Sequence, residues 1–336
     1  ISLHIGINNV DPGYYKGHVP PLSGCISDME KMEALAKTKG FSTQTMRNSE
    51  ATREAILQFL VEQSGELDKN DILLITYAGH GAPIPDQDGD EADLHDESWV
   101  TYNGFLLDDE LNRHFTLFKE GVRILVVSDS CHSGTMNRYL SAARSGLPMP
   151  RGSAQKARFL PLDVVKKILN DNKQPARALR LKMETARAKE EYKAAILLLA
   201  ACQDDQYAME TTNGGVFTNH LVELVSANGK TYNYNDCIST IREKMPVTQI
   251  PKLNPLGSAA ERFADQLIFS IQWEEAINAI SNSANKSKKK KKVVNLLVET
   301  DKRLLRSAPP AGSRDMADRQ VSVINDVVDG TDLPGE

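Results

Sequence analysis

Two stretches of this chain are apolar almost without interruption, and they constrain its fold more than any other feature. Asp71–Tyr77 reads DILLITY and Val122–Val127 reads VRILVV. A strand with one face in water alternates polar and apolar residues, whereas a strand covered on both faces has no reason to alternate. Both runs are short and are followed by small and polar residues, so both are expected to be strands buried on both faces. Ser2–Asn8 alternates and forms a further strand, and Phe41–Met46 a weaker one. Ala194–Ala201 (AAILLLAA) reads as a strand because it is short and bounded by a polar turn, and Asp265–Ile271 is a sixth candidate. Helical spacing occupies Ser27–Lys39, which stops at Gly40, and Thr52–Ser64, Asp108–Phe118, Thr218–Ala227 and Tyr234–Lys244. Strands alternating with helices specify an α/β fold, with a mostly parallel sheet covered on both faces.

This pattern extends to about residue 280. Within it, residues 140–192 hold twelve Lys/Arg against five Asp/Glu. The part Ser141–Arg158 reads as an exposed basic loop and Leu160–Glu191 as helical. The remainder, 281–336, opens with six lysines within 286–292 and ends rich in Pro, Gly and Asp. That composition describes a largely flexible tail. The expected organisation is therefore a domain over 1–280 followed by a tail over 281–336. The full chain carries 40 Lys+Arg against 45 Asp+Glu. The acidic balance argues against a dedicated nucleic-acid binder. No apolar run approaches the length that crosses a bilayer, and no leader peptide is read at the start. Cys25, Cys131, Cys202 and Cys237 are widely spaced, without the paired spacing of a zinc site. A reducing, cytoplasmic setting is the expectation.

Ligands of open α/β sheets bind beyond the carboxyl ends of the strands. DILLITY runs into Ala78-Gly79-His80-Gly81, and VRILVV into Ser128-Asp129-Ser130-Cys131-His132-Ser133-Gly134. If these strands are neighbours, His80 and Cys131 face one cleft. That pair suits nucleophilic catalysis. An imidazole beside a thiol favours the thiolate and can later protonate a leaving amine. The backbone N–H groups of Gly81 and Cys131 are candidates for an oxyanion hole. His132 is a rival base, but it directly follows Cys131, and strand geometry would turn it away.

YAGHG (77–81) and DSCHSG (129–134) resemble the His and Cys motifs of caspase-like cysteine peptidases (peptidase C14), in the metacaspase and prokaryotic orthocaspase branch. His80 lies 51 residues before Cys131, near the spacing of about 50 in caspases. Gly24-Cys25-Ile26-Ser27-Asp28, the acidic DGDEADLHDE (88–97) with LLDDEL (106–111), and LLLAACQDDQYAMET with GGVFTNHL (within 197–221) match further segments in order. The resemblance covers roughly residues 1–272. It implies a caspase-like three-layer sandwich with a six-stranded sheet, and peptide-bond hydrolysis with Cys131 as nucleophile and His80 as general acid/base.

The same resemblance implies an acidic S1 pocket made by Asp28 and Asp129, with Cys25 as a further lining residue. Paired carboxylates recognise guanidinium by charge-assisted, bidentate bonds, and no Arg stands beside these motifs in sequence to favour an acidic substrate. Ala78 replaces a Ser common at that place in the family. Ten Asp/Glu and no Lys or Arg fill residues 86–110. Such crowding suits Ca2+, and the family's calcium ligands match Asp96, Asp108 and Asp109. A fourth Asp of the family pattern is replaced by Arg138, beside Asn137. No cofactor is required for the chemistry; Ca2+ enters as an activator. The basic stretch matches the linker that relatives cut, which makes Arg144, Arg151, Lys156 and Arg158 the self-cleavage candidates. The expected partners are protein substrates with exposed Arg/Lys sites and a regulatory protein on the tail. The expected role is regulated proteolysis in a cell-death-like or defence programme. The competing readings are a non-catalytic caspase-like scaffold or calcium-responsive binding module, and another thiol hydrolase, against which the missing G-x-S-x-G elbow counts.

Overall fold

The computed structural model describes the chain except for residues 86–94, 131–155, 174–190, 204–205, 207, 212, 228–229 and 273–336. The described elements follow the chain as β1 (Ser2–Gly6), α1 (Pro12–Tyr15), α2 (Cys25–Thr38), β2 (Thr43–Arg47), α3 (Arg53–Glu66), β3 (Ile72–Ala78), β4 (Gly81–Pro85), β5 (His95–Thr101) and β6 (Gly104–Leu107). They continue as α4 (Asp108–Phe115), β7 (Arg123–Asp129), β8 (Lys156–Ala157), α5 (Leu162–Asp171), β9 (Ala195–Ala200), β10 (Met209–Thr211) and β11 (Gly214–Gly215). The last are α6 (Val216–Ser226), α7 (Tyr234–Lys244), β12 (Lys252–Leu256) and α8 (Ala260–Ala264).

The central sheet has the order β12-β9-β7-β3-β1-β2. Its pairs are parallel except β12 on β9. The two apolar runs are its middle strands, β3 and β7, and every residue of both is buried. Period-two alternation sorts their side chains. Leu74, Leu125 and Val127 join a core under α2, α6 and α7, while Leu73, Ile75, Ile124 and Val126 join a second core under α3 and α4. This is the expected α/β sandwich, six strands with helices on both faces. Two small three-stranded sheets, β4-β5-β6 and β11-β10-β8, sit beyond it.

The sixth strand is not Asp265–Ile271. Lys252–Leu256 takes that place, antiparallel on β9, and as an edge strand it tolerates Pro255, whose missing N–H would break a central ladder. The segment expected to be a strand turns instead around Arg123. Arg123 Nη1 donates to Gln266 Oε1 at 2.9 Å and to the Ser270 carbonyl at 3.0 Å, and Nη2 to the Asn70 and Ile271 carbonyls, each at 2.9 Å. The apolar residues that suggested a strand, Ile268 and Phe269, are buried core residues. Of the stretch Leu160–Glu191, Leu162–Asp171 is helical, and the Lys-rich tail lies outside the described residues. Among the described residues, no helix is long and apolar enough to cross a membrane.

One buried histidine belongs to the frame. His4 in β1 meets Thr76 Oγ1 and Ser2 Oγ, each at 2.9 Å. Burial, partly opposed by Glu33, pushes its pKa from 6.5 down to about 4. Between these two values the unfolded chain binds a proton that the folded chain refuses, so stability falls as pH falls through the window and levels off below it. Over the whole window the loss attributable to His4 is about 3 kcal/mol. Thermal melts between pH 6.5 and 5 should show this decline, and His4→Gln should flatten it; equal slopes for the two proteins would assign the decline to other groups.

Candidate active site

The site forms where β3 and β7 end side by side. Their parallel register sets Ala78 opposite Asp129, so the turns after the two strands leave the sheet at the same edge. The β3 turn is held by Tyr77, whose hydroxyl lies 2.7 Å from the His80 carbonyl and 3.1 Å from that of Val100. The Tyr77 ring stacks on Trp99 with centroids 4.4 Å apart. Gly79 is required in this turn because a Cβ there would run into the Tyr77 hydroxyl.

His80 is buried, and its Nε2 lies 2.9 Å from the Pro20 carbonyl oxygen. A carbonyl only accepts, so Nε2 carries the hydrogen and donates it. In the neutral ring, Nδ1 then carries the basic lone pair. On the β7 side, Trp99 Nε1 donates to Ser128 Oγ at 3.1 Å, and Ser128 Oγ lies 2.8 Å from Ser130 Oγ. These contacts fix the strand end up to Ser130. Cys131 and His132 lie outside the described residues, as do Arg144 and Arg151, with Asn137 and Arg138.

The two S1 candidates do come together. Asp28 lies in the first turn of α2, rather than capping it, and Asp129 closes β7; both are buried. Between them sits a residue the sequence placed in an exposed loop. Arg158 has no exposed surface. Its Nη2 is 2.5 Å from Asp28 Oδ2 and its Nη1 3.2 Å from Asp129 Oδ1. A guanidinium surrounded by carboxylates need not stay in water. A third carboxylate, which the sequence reading missed, completes the cradle. Glu210 Oε2 is 3.5 Å from Arg158 Nη2.

The cradle's carboxylates are also held by backbone donors. Gly215 N–H donates to Asp28 at 2.6 Å, and Thr218 donates to Asp129 Oδ2 through N–H at 3.1 Å and hydroxyl at 2.6 Å. Ser23 and Gly24 N–H groups donate to Glu210 at 3.0 and 3.1 Å. Gly214 and Gly215 make this approach feasible: a Cβ on either would overlap the carboxylate of Asp28 or of Asp129, and Gly214 has φ +102°. Burial raises the Asp28 pKa, against the lowering effect of Arg158. For Arg158, burial pulls downward, but its acidic neighbours Asp129 and Asp28 help hold its pKa well above the usual value. Cys25 lines the cradle with Sγ 3.9 Å from Glu210 Oε2. Burial pushes its thiol up to about 12, so it remains protonated and serves as packing.

The candidate calcium positions are only partly described. Asp108 and Asp109 open α4. The β5–β6 register, with Ser98 opposite Leu107, carries the Asp96 backbone to the same end of the small sheet; the Asp96 side chain lies outside the described residues. No group of three His, Cys, Asp or Glu side chains with metal-binding geometry occurs among the described residues.

An imidazole and an acidic cradle at one carboxyl edge of a doubly covered parallel sheet, just before a cysteine, form the layout of a caspase-type domain. The model of the caspase domain family, peptidase C14, matches residues 2–259, and the chain belongs to that family. It is 34% identical over 149 residues to Metacaspase-1A of Aspergillus clavatus, covering 40% of this chain and 33% of that protein. Metacaspase-1 of Botryotinia fuckeliana is also 34% identical over 149 residues, covering 40% of this chain and 34% of that protein. The aligned part thus spans about a third of the length of these curated relatives. The crystal structure of protein GSU0716 from Geobacter sulfurreducens superposes with a TM-score of 0.70 at 32% identity, covering 81% of this chain and 99% of that one.

Tyr77 offers a direct check on how the His80 turn is held. Tyr77→Phe leaves two buried carbonyls without that hydroxyl and should cost about 1–3 kcal/mol of stability in denaturant titration. An unchanged midpoint would show that the turn is fixed by other contacts.

Proposed function

We propose that this chain is a cysteine endopeptidase that cuts after Arg or Lys, with Cys131 as nucleophile and His80 as general acid/base. The observation that carries the proposal is the closure of Asp28, Asp129 and Glu210 on a guanidinium beside the His80–Gly81 turn. A cradle that fits the side chain of Arg158 fits the side chain of a substrate Arg, and one lined by three carboxylates rejects an acidic side chain. Membership in the caspase domain family supports the reaction class.

In this mechanism Nδ1 of His80 takes the thiol proton, and the thiolate adds to the carbonyl carbon of the residue held in the cradle. The Gly81 N–H supports the developing oxyanion. The imidazolium then protonates the departing amine, and a water activated by the same ring hydrolyses the thioester. The Pro20 carbonyl holds the Nε2–H throughout, so Nδ1 is the atom that gains and loses the proton. Self-processing, with Arg144, Arg151, Lys156 and Arg158 as its candidate sites, belongs to the same reading. So do activation by Ca2+ through Asp96, Asp108 and Asp109, and a role in regulated proteolysis.

A second reading is favoured by one feature: Arg158 fills the cradle and is wholly buried. On that reading the cluster is a permanent internal ion pair and the domain is a binding scaffold. Fluorogenic peptides ending in Arg, Lys or Asp, assayed with and without Ca2+, separate the two. The proposal expects Arg and Lys turnover, no Asp turnover, and a loss on the order of 10⁴-fold in Cys131→Ala. Asp28→Asn should weaken kcat/KM for Arg peptides by about 10- to 100-fold, the value of a buried charge-assisted bond. No Arg or Lys turnover under any condition would leave the scaffold reading; Asp turnover would overturn the pocket assignment.

A further inference from the structure

One short segment touches both halves of the site. Between α1 and α2 the chain reads Pro20-Pro21-Leu22-Ser23-Gly24. Its near end meets the imidazole, through the Pro20 carbonyl that accepts the His80 Nε2–H at 2.9 Å. Its far end meets the cradle. Glu210 Oε1 accepts from the Ser23 N–H at 3.0 Å and the Ser23 hydroxyl at 3.1 Å, and Oε2 accepts from the Gly24 N–H at 3.1 Å. Little slack separates the two ends. A proline ring fixes its own φ and confines the residue before it to extended ψ values. Pro21 therefore sets ψ of Pro20, the torsion that aims the carbonyl at His80. Leu22 is buried with Cys25 and Ala78, and its N–H donates to the Asn8 carbonyl at 2.9 Å. The Asn8 side chain holds the next turn, accepting the Cys25 N–H at 2.9 Å and donating to the Ser23 carbonyl at 3.3 Å. A Cβ on Gly24 would stand 2.7 Å from the Gly214 Cα, so the segment lies directly against the β10–β11 pair to which Glu210 belongs.

We propose that Glu210 is a positioning residue for His80 as well as a wall of the cradle. It anchors the far end of this segment, and Pro21 carries that anchorage to the Pro20 carbonyl. The kinetic consequence rests on the proposed peptidase reading, whereas the hold on the imidazole is measurable without it. A carboxylate that only lined the pocket would act on the bound side chain and leave the imidazole alone. Here the same carboxylate fixes where the ring points, so its loss reaches the proton-transfer steps as well as binding.

The Nε2–H of His80 reports the hold directly. In the full chain labelled with 15N-histidine its signal is assigned by its loss in His80→Gln, and a bonded, buried N–H exchanges slowly with water. A glutamine at 210 offers one acceptor oxygen where the Ser23 and Gly24 N–H groups use two. Glu210→Gln should therefore speed exchange of that proton by about tenfold, the value of one charge-assisted hydrogen bond. Pro21 is exposed, so Pro21→Gly tests the link without emptying the core. It should speed exchange by a similar factor, with Pro21→Ala between it and the wild type, because alanine frees ψ of Pro20 but is itself less free than glycine. With Arg peptides, Pro21→Gly should lower kcat by about tenfold and leave KM within about twofold. Wild-type Nε2–H exchange in a folded Glu210→Gln protein would overturn the proposal, because Glu210 would then serve the cradle alone. So would wild-type exchange in Pro21→Gly, or a kinetic loss confined to KM. Faster exchange in both variants of a chain that turns over no Arg or Lys peptide would remove the peptidase reading and uphold the positioning role.

Discussion

One buried cation organises the working edge of this domain. Asp28, Asp129 and Glu210 come from α2, the end of β7 and β10, elements far apart in the chain, and they converge on the Arg158 guanidinium. Isolated charges would not tolerate such burial. With three carboxylates to one guanidinium, the cation alone does not balance the cluster. Lys31, with Nζ 3.6 Å from Asp28 Oδ1, adds a second, partly exposed cation, and backbone dipoles offset part of the remainder. Helices α2 and α6 begin at Gly24 and Gly215, and neither has a capping bond from its own N-cap side chain. Glu210 accepts the Gly24 N–H and Asp129 accepts the Thr218 N–H, so the acidic residues cap helices from elsewhere in the chain. Negative charge at helix starts is favourable. The cradle is thus partly neutralised by the frame, and the frame's helices depend on the cradle.

This mutual dependence explains which features the sequence revealed. Strands β3 and β7 were legible because burial on both faces removes every polar residue from their interiors. The His80 and Asp129 positions followed, since a parallel pair ends at one edge. The β12 edge was not legible. Lys252–Leu256 is half exposed, contains Pro255 and carries no alternation, whereas Asp265–Ile271 has the apolar residues of a strand but spends its carbonyls on Arg123. Periodicity reports which side chains are buried, not which backbone groups pair.

Glu210 and Arg158 were hidden for a different reason. Each is a charged residue in a stretch rich in charge, and solvent exposure is the ordinary reading of such a residue. Arg158 closed the basic loop in the sequence reading, and Glu210 followed the acidic run at 204–205. Burial became favourable only through partners supplied by other elements. One local signal existed. Helices that start on glycine, without Ser, Thr, Asp or Asn as cap, need an acceptor from elsewhere. A buried carboxylate is one way to provide it.

The same electrostatics bear on where a reactive thiol can sit. Cys25, buried against the cradle, has its thiol raised to about 12, with burial as the largest cause and Glu210, Asp28 and Asp129 adding to it. A nucleophile placed there would be inert. Cys131 follows Asp129 by two residues, so its Cα lies within about 7 Å of that of Asp129. An empty cradle would therefore set carboxylate charge near the thiol proposed as the nucleophile. A guanidinium in the cradle cancels part of that field. Whether the cation belongs to Arg158 or to an incoming peptide makes no electrostatic difference. On the proposed peptidase reading, pocket occupancy would therefore favour thiolate formation, because the acidic cradle disfavours a nearby thiolate while it stands empty.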